Sequence, residues 1–397
     1  MHIGINAQLL SFSQNYRNGG ISRYIRYLLT ELAKQPGQHR YTVFVNGQDV
    51  VERLAAYHPQ ITYIPVSWPE TRPLSRVAWE QLTLPSLLRQ RHIDVFHSPA
   101  NVLPEMLPHN CAGVVTLHDL AFLRFPNVLT RSKRMYHRTF TIRSLRHATM
   151  IIADSDSTKR DAVELVHIPA ELIQSVHPCI DARFSSVINE EEIESFRHKQ
   201  GLAGGFILYL GTLEPRKNIT TIIEAYAHLR KTRAIQEKLV LAGGKGWFYD
   251  SIFEKVQQLD LEGDVIFPGF VADAEQVLWY TAASAFIYPS LYEGFGLPVA
   301  EALACGTPVV TSNVSSLPEA GAGVALVVDP YDVKAMADAL YKALVDLEYR
   351  QHCRTLAPSV AKQFSAQAMA AQIVSVYEQA YGQAAKRRKL EEHTNIV

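Results

Sequence analysis

Cysteine is scarce in this 397-residue chain: Cys111, Cys179, Cys305 and Cys353 are the four present. They lie far apart, with neither the close spacing of a zinc site nor the density of a secreted disulfide scaffold, which points to a reducing, cytoplasmic compartment. Net charge is absent too, since Lys plus Arg and Asp plus Glu number 39 each. That balance removes any chain-wide electrostatic case for a nucleic-acid partner. No apolar run approaches the roughly 18 to 20 residues a membrane span requires. The opening MHIGINAQLL has no basic segment followed by an apolar core, so no signal peptide is expected. Short repeats and low-complexity stretches are missing as well, which excludes solenoids and fibres.

What remains is a soluble globular composition, 47% hydrophobic and 20% charged, long enough for two or three domains. Short β-branched runs alternate with longer amphipathic stretches, the pattern of parallel sheets with crossover helices. Strands are expected near 2–7, 41–45, 61–65, 93–97, 113–117, 149–153 and 174–177. A second set is expected near 206–210, 238–242, 264–267, 285–288, 307–311 and 323–327. The polar stretch 181–200 between the sets reads as linker and lead-in helix. Each set suffices for a doubly wound sheet, and two facing sheets of that kind create a deep cleft. The expected division is therefore 1–182, 183–363 and a helical C-terminal segment 364–397. In that segment Met369, Ile373, Val376 and Tyr377 recur at helical period, and Lys386-Arg387-Arg388-Lys389 reads as an exposed, mobile tail.

The segment 285–312 carries most of the chemistry. After a strand, Glu293-Gly294-Phe295-Gly296 forms a loop, and Pro298 stands where the first turn of a helix tolerates a missing N–H. Glycines let backbone approach a ligand, and free N–H groups at the helix start favour oxygen-rich or anionic groups. Glu293 and Glu301 are eight residues apart, about 12 Å if wholly helical. That is wide for the carboxylate pair of a glycosidase. The two carboxylates are therefore read as gripping different parts of one elongated ligand, the bland alternative being a turn residue and a solvated helix residue. Arg216-Lys217 likewise sit between a strand ending Leu-Gly-Thr and a helix opening near Asn218, where two cations could meet a diphosphate.

In the first half, Gly19-Gly20-Ile21 opens an amphipathic helix, but no G-x-G-x-x-G follows strand 2–7, which disfavours a nicotinamide dehydrogenase. His97 and His118 each end a strand, where sites assemble in parallel sheets. Asp154-Ser155-Asp156 spells a metal-dependent motif of another fold, yet its strand-to-helix context favours capping side chains. Between Arg124 and Arg146 lie seven basic residues and no acid. Arg131, Arg134 and Arg138 share one helical face, and Met135, Ile142 and Leu145 another. Such a helix could dock on an anionic membrane, grip a lipid-linked pyrophosphate, or pack as a solvated face on its own sheet.

Glu293-Gly-Phe-Gly-Leu-Pro, the spacing to Glu301, the following Ala-Cys-Gly-Thr-Pro-Val-Val, Gly211-Thr-Leu-Glu-Pro-Arg-Lys-Asn218, Leu317-Pro-Glu319 and Val328-Asp-Pro330 together resemble the retaining glycosyltransferases of family 4, the glycosyl transferases group 1. The resemblance implies the GT-B architecture: two Rossmann-like α/β domains, the acceptor held mainly by the first and the nucleotide sugar by the second, with a last helix that crosses back to the first. It implies phosphate binding by Arg216 and Lys217 in place of a metal, with Gly211 and Thr212 beside them. Glu293 would contact the donor sugar with Gly294, Phe295, Gly296 and Leu297 adjacent, and Glu301 would accept from ribose hydroxyls. Gly19 and Gly20 would lie over the diphosphate, and His118 would contact the sugar near the reacting carbon. Val271 would meet the nucleobase through its backbone, while Asp273 could accept from the N–H edge of guanine or simply cap a helix at 274–281.

The implied activity is metal-independent hexosyl transfer with retention. The best expectation is mannosyl transfer from GDP-mannose to a glycan or lipid-linked glycan in bacterial O-antigen or polysaccharide assembly, as in bacterial mannosyltransferases. No cofactor beyond the donor and no bound metal is expected. The setting would be the cytoplasm or the inner face of its membrane, with 124–146 as the contact. A nucleotide-sugar epimerase or hydrolase on the same architecture, or a non-catalytic nucleotide-sugar-binding subunit of an assembly complex, stands as an alternative.

Overall fold

A computed structural model describes residues 1–12, 20–35, 37–66, 73–125, 131–185, 188–244, 246 and 249–394. The chain forms two compact units. One comprises Met1–Cys179 together with the segment from Ala366 onward, the other Ile180–Ser365.

In the first unit, strands β1 (His2–Asn6), β2 (Arg40–Asn46), β3 (Thr62–Val66), β4 (Val95–Ser98), β5 (Ala112–Leu117), β6 (Met150–Ala153) and β7 (Ile173–Ser175) form one sheet. Its order is β3-β2-β1-β4-β5-β6-β7, and every pairing is parallel. The second unit holds β8 (Phe206–Leu210), β9 (Lys238–Ala242), β10 (Val265–Gly269), β11 (Ala285–Tyr288), β12 (Val309–Ser312) and β13 (Leu326–Val328). They lie parallel in the order β10-β9-β8-β11-β12-β13. All thirteen expected strands are thus present. The central strands of the second sheet are continuously apolar, FILYL in β8 and AFIY in β11, because helices cover both faces and every residue of these two strands is buried.

Each sheet reverses its strand order once, between β1 and β4 and between β8 and β11. At such a switch point the loops leaving adjacent strands diverge to opposite faces, and the opening between them is where doubly wound folds bind ligands.

The last helix, Ala366–Thr394, belongs to the first unit. Met369, Ile373, Val376 and Tyr377 are at most 2% exposed, within the core formed by Ile3, Ile5, Val43 and Val95. The helix continues through Lys386-Arg387-Arg388, so the expected mobile tail is instead ordered helix. A second correction concerns 131–147. The segment is helical, but a π turn at His137–Thr141 separates Arg131–Tyr136 from Ile142–His147. The wider turn advances the face, so Met135 is 69% exposed while Leu145 is buried, and the single apolar stripe does not form.

Candidate functional site

The switch point of the second sheet gathers four side chains. Arg216 and Lys217 lie on a short 3-10 turn, Pro215–Lys217, after β8, and the helix Ile219–Thr232 follows from Asn218, whose backbone is left-handed (φ 59°). Asn218 is fixed by its amide, which donates to the Pro330 carbonyl at 2.7 Å. Glu293 stands on the loop after β11, and Tyr288 ends that strand.

Lys217 Nζ donates to Glu293 Oε1 at 2.5 Å and to the Tyr288 hydroxyl at 2.7 Å. Two of the three ammonium donors are thereby used. Arg216 Nη1 donates to Glu293 Oε2 at 3.2 Å and to the Tyr292 carbonyl, while Nε and Nη2 reach Glu214 Oε1 at 3.2 and 2.9 Å. Tyr288 completes the group by donating to Glu293 Oε1 at 3.2 Å. Its ring stacks on Tyr209, with centroids 5.8 Å apart.

Burial alone would raise the Glu293 carboxyl. The charges of Lys217 and Arg216 and the hydrogen bond from Lys217 outweigh it and hold the group down at about 2. Glu293 is therefore a carboxylate at any physiological pH. The phenols of Tyr288 and Tyr209 are driven far above their usual range by burial, so both stay protonated.

The surrounding backbone is pinned in place. Ser315 Oγ accepts from the Glu293 N–H at 3.1 Å and donates to the Glu293 carbonyl at 2.7 Å, and Ser316 Oγ donates to the Phe295 carbonyl at 2.8 Å. Gly296 has φ 108°, and a Cβ there would stand 2.7 Å from Leu317. It leads into the helix Leu297–Ala304, with Pro298 in its first turn. On this helix Glu301 is buried, accepting from the Tyr280 hydroxyl at 2.9 Å. Gly211 and the exposed Thr212 follow β8. A Cβ at Gly243 would fall 1.9 Å from the Gly211 carbonyl oxygen, so the loops after β8 and β9 touch backbone to backbone.

Val271 is buried just past β10, two strands from β8, or about 10 Å at the usual strand spacing. Asp273 does not cap the helix Gln276–Ala282, which has no side-chain cap; its carboxylate accepts from the Gln276 amide at 3.4 Å. Phe270 beside them is 79% exposed.

The first unit assembles a separate group at the carboxyl ends of its strands. His118 Nδ1 lies 2.8 Å from Asp154 Oδ2, and Nε2 lies 2.8 Å from the Pro99 carbonyl. Burial would lower the imidazole, but the Asp154 charge and hydrogen bond and the Pro99 carbonyl raise it to about 9. Within Asp154-Ser155-Asp156 only Ser155 caps the helix Asp156–Val166, accepting from the Thr158 N–H, while Asp156 accepts from Ser175. The two carboxylates have different partners and do not converge. His97 is fully buried between Tyr377 Oη (2.7 Å) and Thr116 Oγ1 (2.8 Å), and burial drives it down to about 3, a neutral structural histidine. Gly20 begins the helix Gly20–Ala33, and Gly19 lies outside the described residues.

Tyr288, Glu214, Ser315 and Ser316 were not singled out from the sequence, and Asp154 reads there as a capping residue rather than as a partner of His118. Tyr288 reads as one more core aromatic of a buried strand, and Asp154 is hidden among plausible capping residues.

Family models, relatives and a solved structure show what the chain is similar to. The sequence model of the Glycosyl transferases group 1 matches residues 190–360, and that of Glycosyltransferase Family 4 matches residues 18–184. The chain is 33% identical to O-antigen chain mannosyltransferase B of Escherichia coli over 284 residues, 72% of this chain and 74% of the relative. It is 31% identical over 232 residues to the serotype-specific mannosyltransferase WbdA of Escherichia coli, covering 55% of this chain and 27% of that longer protein. In fold it matches the crystal structure of Anabaena HepE in complex with UDP and glucose, with a TM-score of 0.69 at 18% identity, over 96% of this chain and all of that one. The chain therefore belongs to the glycosyltransferases of family 4, the glycosyl transferases group 1, and has their GT-B architecture.

Proposed function

We propose that this glycosyltransferase moves a mannosyl unit from GDP-mannose to a hydroxyl of a glycan or lipid-linked glycan in O-antigen or related polysaccharide assembly, with retention at the anomeric carbon. The observation that carries this reading is the half-buried Arg216–Glu293–Lys217 cluster at the switch point of the second sheet. In the proposed reaction the bond between the anomeric carbon and the diphosphate oxygen breaks, and the acceptor oxygen bonds to that carbon on the same face. The acceptor proton passes to the departing phosphate. Arg216 and Lys217 neutralise the charge that develops there, a task that falls to a metal ion in other transferases. Glu293 holds both cations in place and orients sugar hydroxyls, while Glu301 takes the ribose.

Mannose is supported by the names of the relatives, both mannosyltransferases. Guanine is supported by Asp273, whose carboxylate can accept from its N–H edge, and by exposed Phe270, which offers a stacking face. His118 enters the reading as a fixed cation rather than an acid or base, because both of its ring nitrogens face protein acceptors.

The proposal includes a peripheral contact of 124–146 with an anionic membrane. Support comes from Met135, exposed beside Arg134 and Arg138. In the same run Arg124 pairs with Asp161 and Arg143 with Glu105. Residues 126–130 and the side chains of Arg131 and Lys133 lie outside the described residues. Among the described residues, no helix is long and apolar enough to cross a membrane.

A thermal-shift panel of GDP, UDP, ADP and dTDP tests the donor. GDP should raise the midpoint most, since at equal concentration a ligand stabilises the folded chain by the logarithm of one plus its concentration over Kd. A larger shift with UDP would overturn the guanine assignment.

A further inference from the structure

The amino-terminal edge of the first sheet carries a cavity that the transfer reaction does not use. It encloses about 260 Å3 and is walled by three segments distant in sequence: 104–113, His147 with Thr149, and the last helix from Ala384 to Arg388. Gly113 and Thr149 adjoin the starts of β5 and β6, whereas His118 and Asp154 follow the ends of the same strands. Five residues of extended chain separate Gly113 from His118, about 16 Å.

The lining is cationic. Arg387 and Arg388 project from the helix, His109 and His147 face them, and the one carboxylate, Glu105, is engaged by Arg143 at 2.8 Å. The side chains of Arg387, Arg388 and His147 have no ion-pair or hydrogen-bond partner among the described residues. Leu107 and Pro108 supply an apolar wall. Adjacent guanidinium groups repel one another, and a tetrahedral oxyanion relieves that repulsion through paired N–H donors. The floor is tight as well, since a Cβ on Gly113 would stand 2.5 Å from Leu107.

We propose that this cavity is a second anion site, separate from the donor cluster, that binds a phosphate group through Arg387, Arg388 and His147. The phosphate belongs either to a soluble ester or to a lipid headgroup, and the test distinguishes these sources.

Calorimetric titration with inorganic phosphate and co-sedimentation with phosphatidylglycerol vesicles, against phosphatidylcholine vesicles, are compared for wild type, R387S/R388S, H147S and R216A/K217A. Arg387 and His147 are exposed at the surface, so two independent variants guard against misfolding, checked by circular dichroism. At least one probe should bind about tenfold more weakly in R387S/R388S and in H147S yet normally in R216A/K217A, as expected for loss of charge-assisted contacts. Phosphate titration responding in this way identifies a soluble ester, and vesicles alone identify a headgroup. Basal transfer to a soluble acceptor should be unchanged in R387S/R388S. Equal behaviour of wild type and R387S/R388S toward both probes overturns the proposal.

Discussion

His118 and Asp154 form a largely buried pair whose hydrogen bonding, with Asp154 ionised, is complete only when the ring carries both protons. Nδ1 meets a carboxylate and Nε2 meets the Pro99 carbonyl, each at 2.8 Å, and neither partner can donate. Because its folded pKa rises to about 9 from an ordinary 6.5, His118 contributes stability that is fully present below pH 6.5 wherever Asp154, whose carboxyl burial pushes up, is still ionised. That contribution is lost as pH climbs through about 9. Asp154→Asn should cost about 2 kcal/mol near neutrality and bring the imidazole titration, followed by NMR, down toward or below 6.5. A His118 titration unmoved by the substitution would sink the assignment.

His97 has the opposite sign. Its folded pKa near 3 lies below the unfolded 6.5, so folding is penalised as pH falls from about 6.5 toward 3. Tyr377→Phe removes the hydroxyl 2.7 Å from its Nδ1. The loss should be about 1 to 2 kcal/mol, read as faster amide exchange along Ala366–Thr394.

At the donor cluster, replacing Arg216 and Lys217 together by Ala should lower turnover by about 10²-fold or more, the scale of removing donors that act on developing charge. Glu301→Ala should act mainly on the KM for the nucleotide sugar. Unchanged kinetics in both variants would count against the mechanism.

Glu293 titrates near 2, so it should leave no inflection in a rate profile between pH 5 and 8. Glu293→Gln should depress kcat across that whole range, because Lys217 and Arg216 lose the charge that positions them. An acid limb that vanishes in this variant would show that Glu293 works by proton transfer instead.

Gly243→Ala tests the backbone contact under the cluster. With φ at 141° and the Gly211 carbonyl 1.9 Å from the added methyl, the variant should lose about 3 kcal/mol or more. Donor binding should weaken at temperatures where the protein remains folded.

The strands were legible because the central ones, parallel and covered on both faces, are apolar along their whole length, and such runs stand out between amphipathic stretches. The π turn at His137–Thr141 was not, since a one-residue widening leaves no compositional trace and is felt only as a shifted face. Arg216, Lys217 and Glu293 could be named from local motifs. That one carboxylate clamps both cations is a property of the crossover that brings the ends of β8 and β11 side by side. Tyr288 gave no signal at all, for its hydroxyl is polar only at the tip of a ring whose body belongs to the core.

The return of Ala366–Thr394 to the first unit makes that unit discontinuous along the chain. A ribosome delivers every residue of Ile180–Ser365 before it supplies Tyr377 to the waiting His97. Vectorial synthesis thus completes the later-encoded unit first, and nonsense truncations near the end should damage the half of the molecule that was translated earliest.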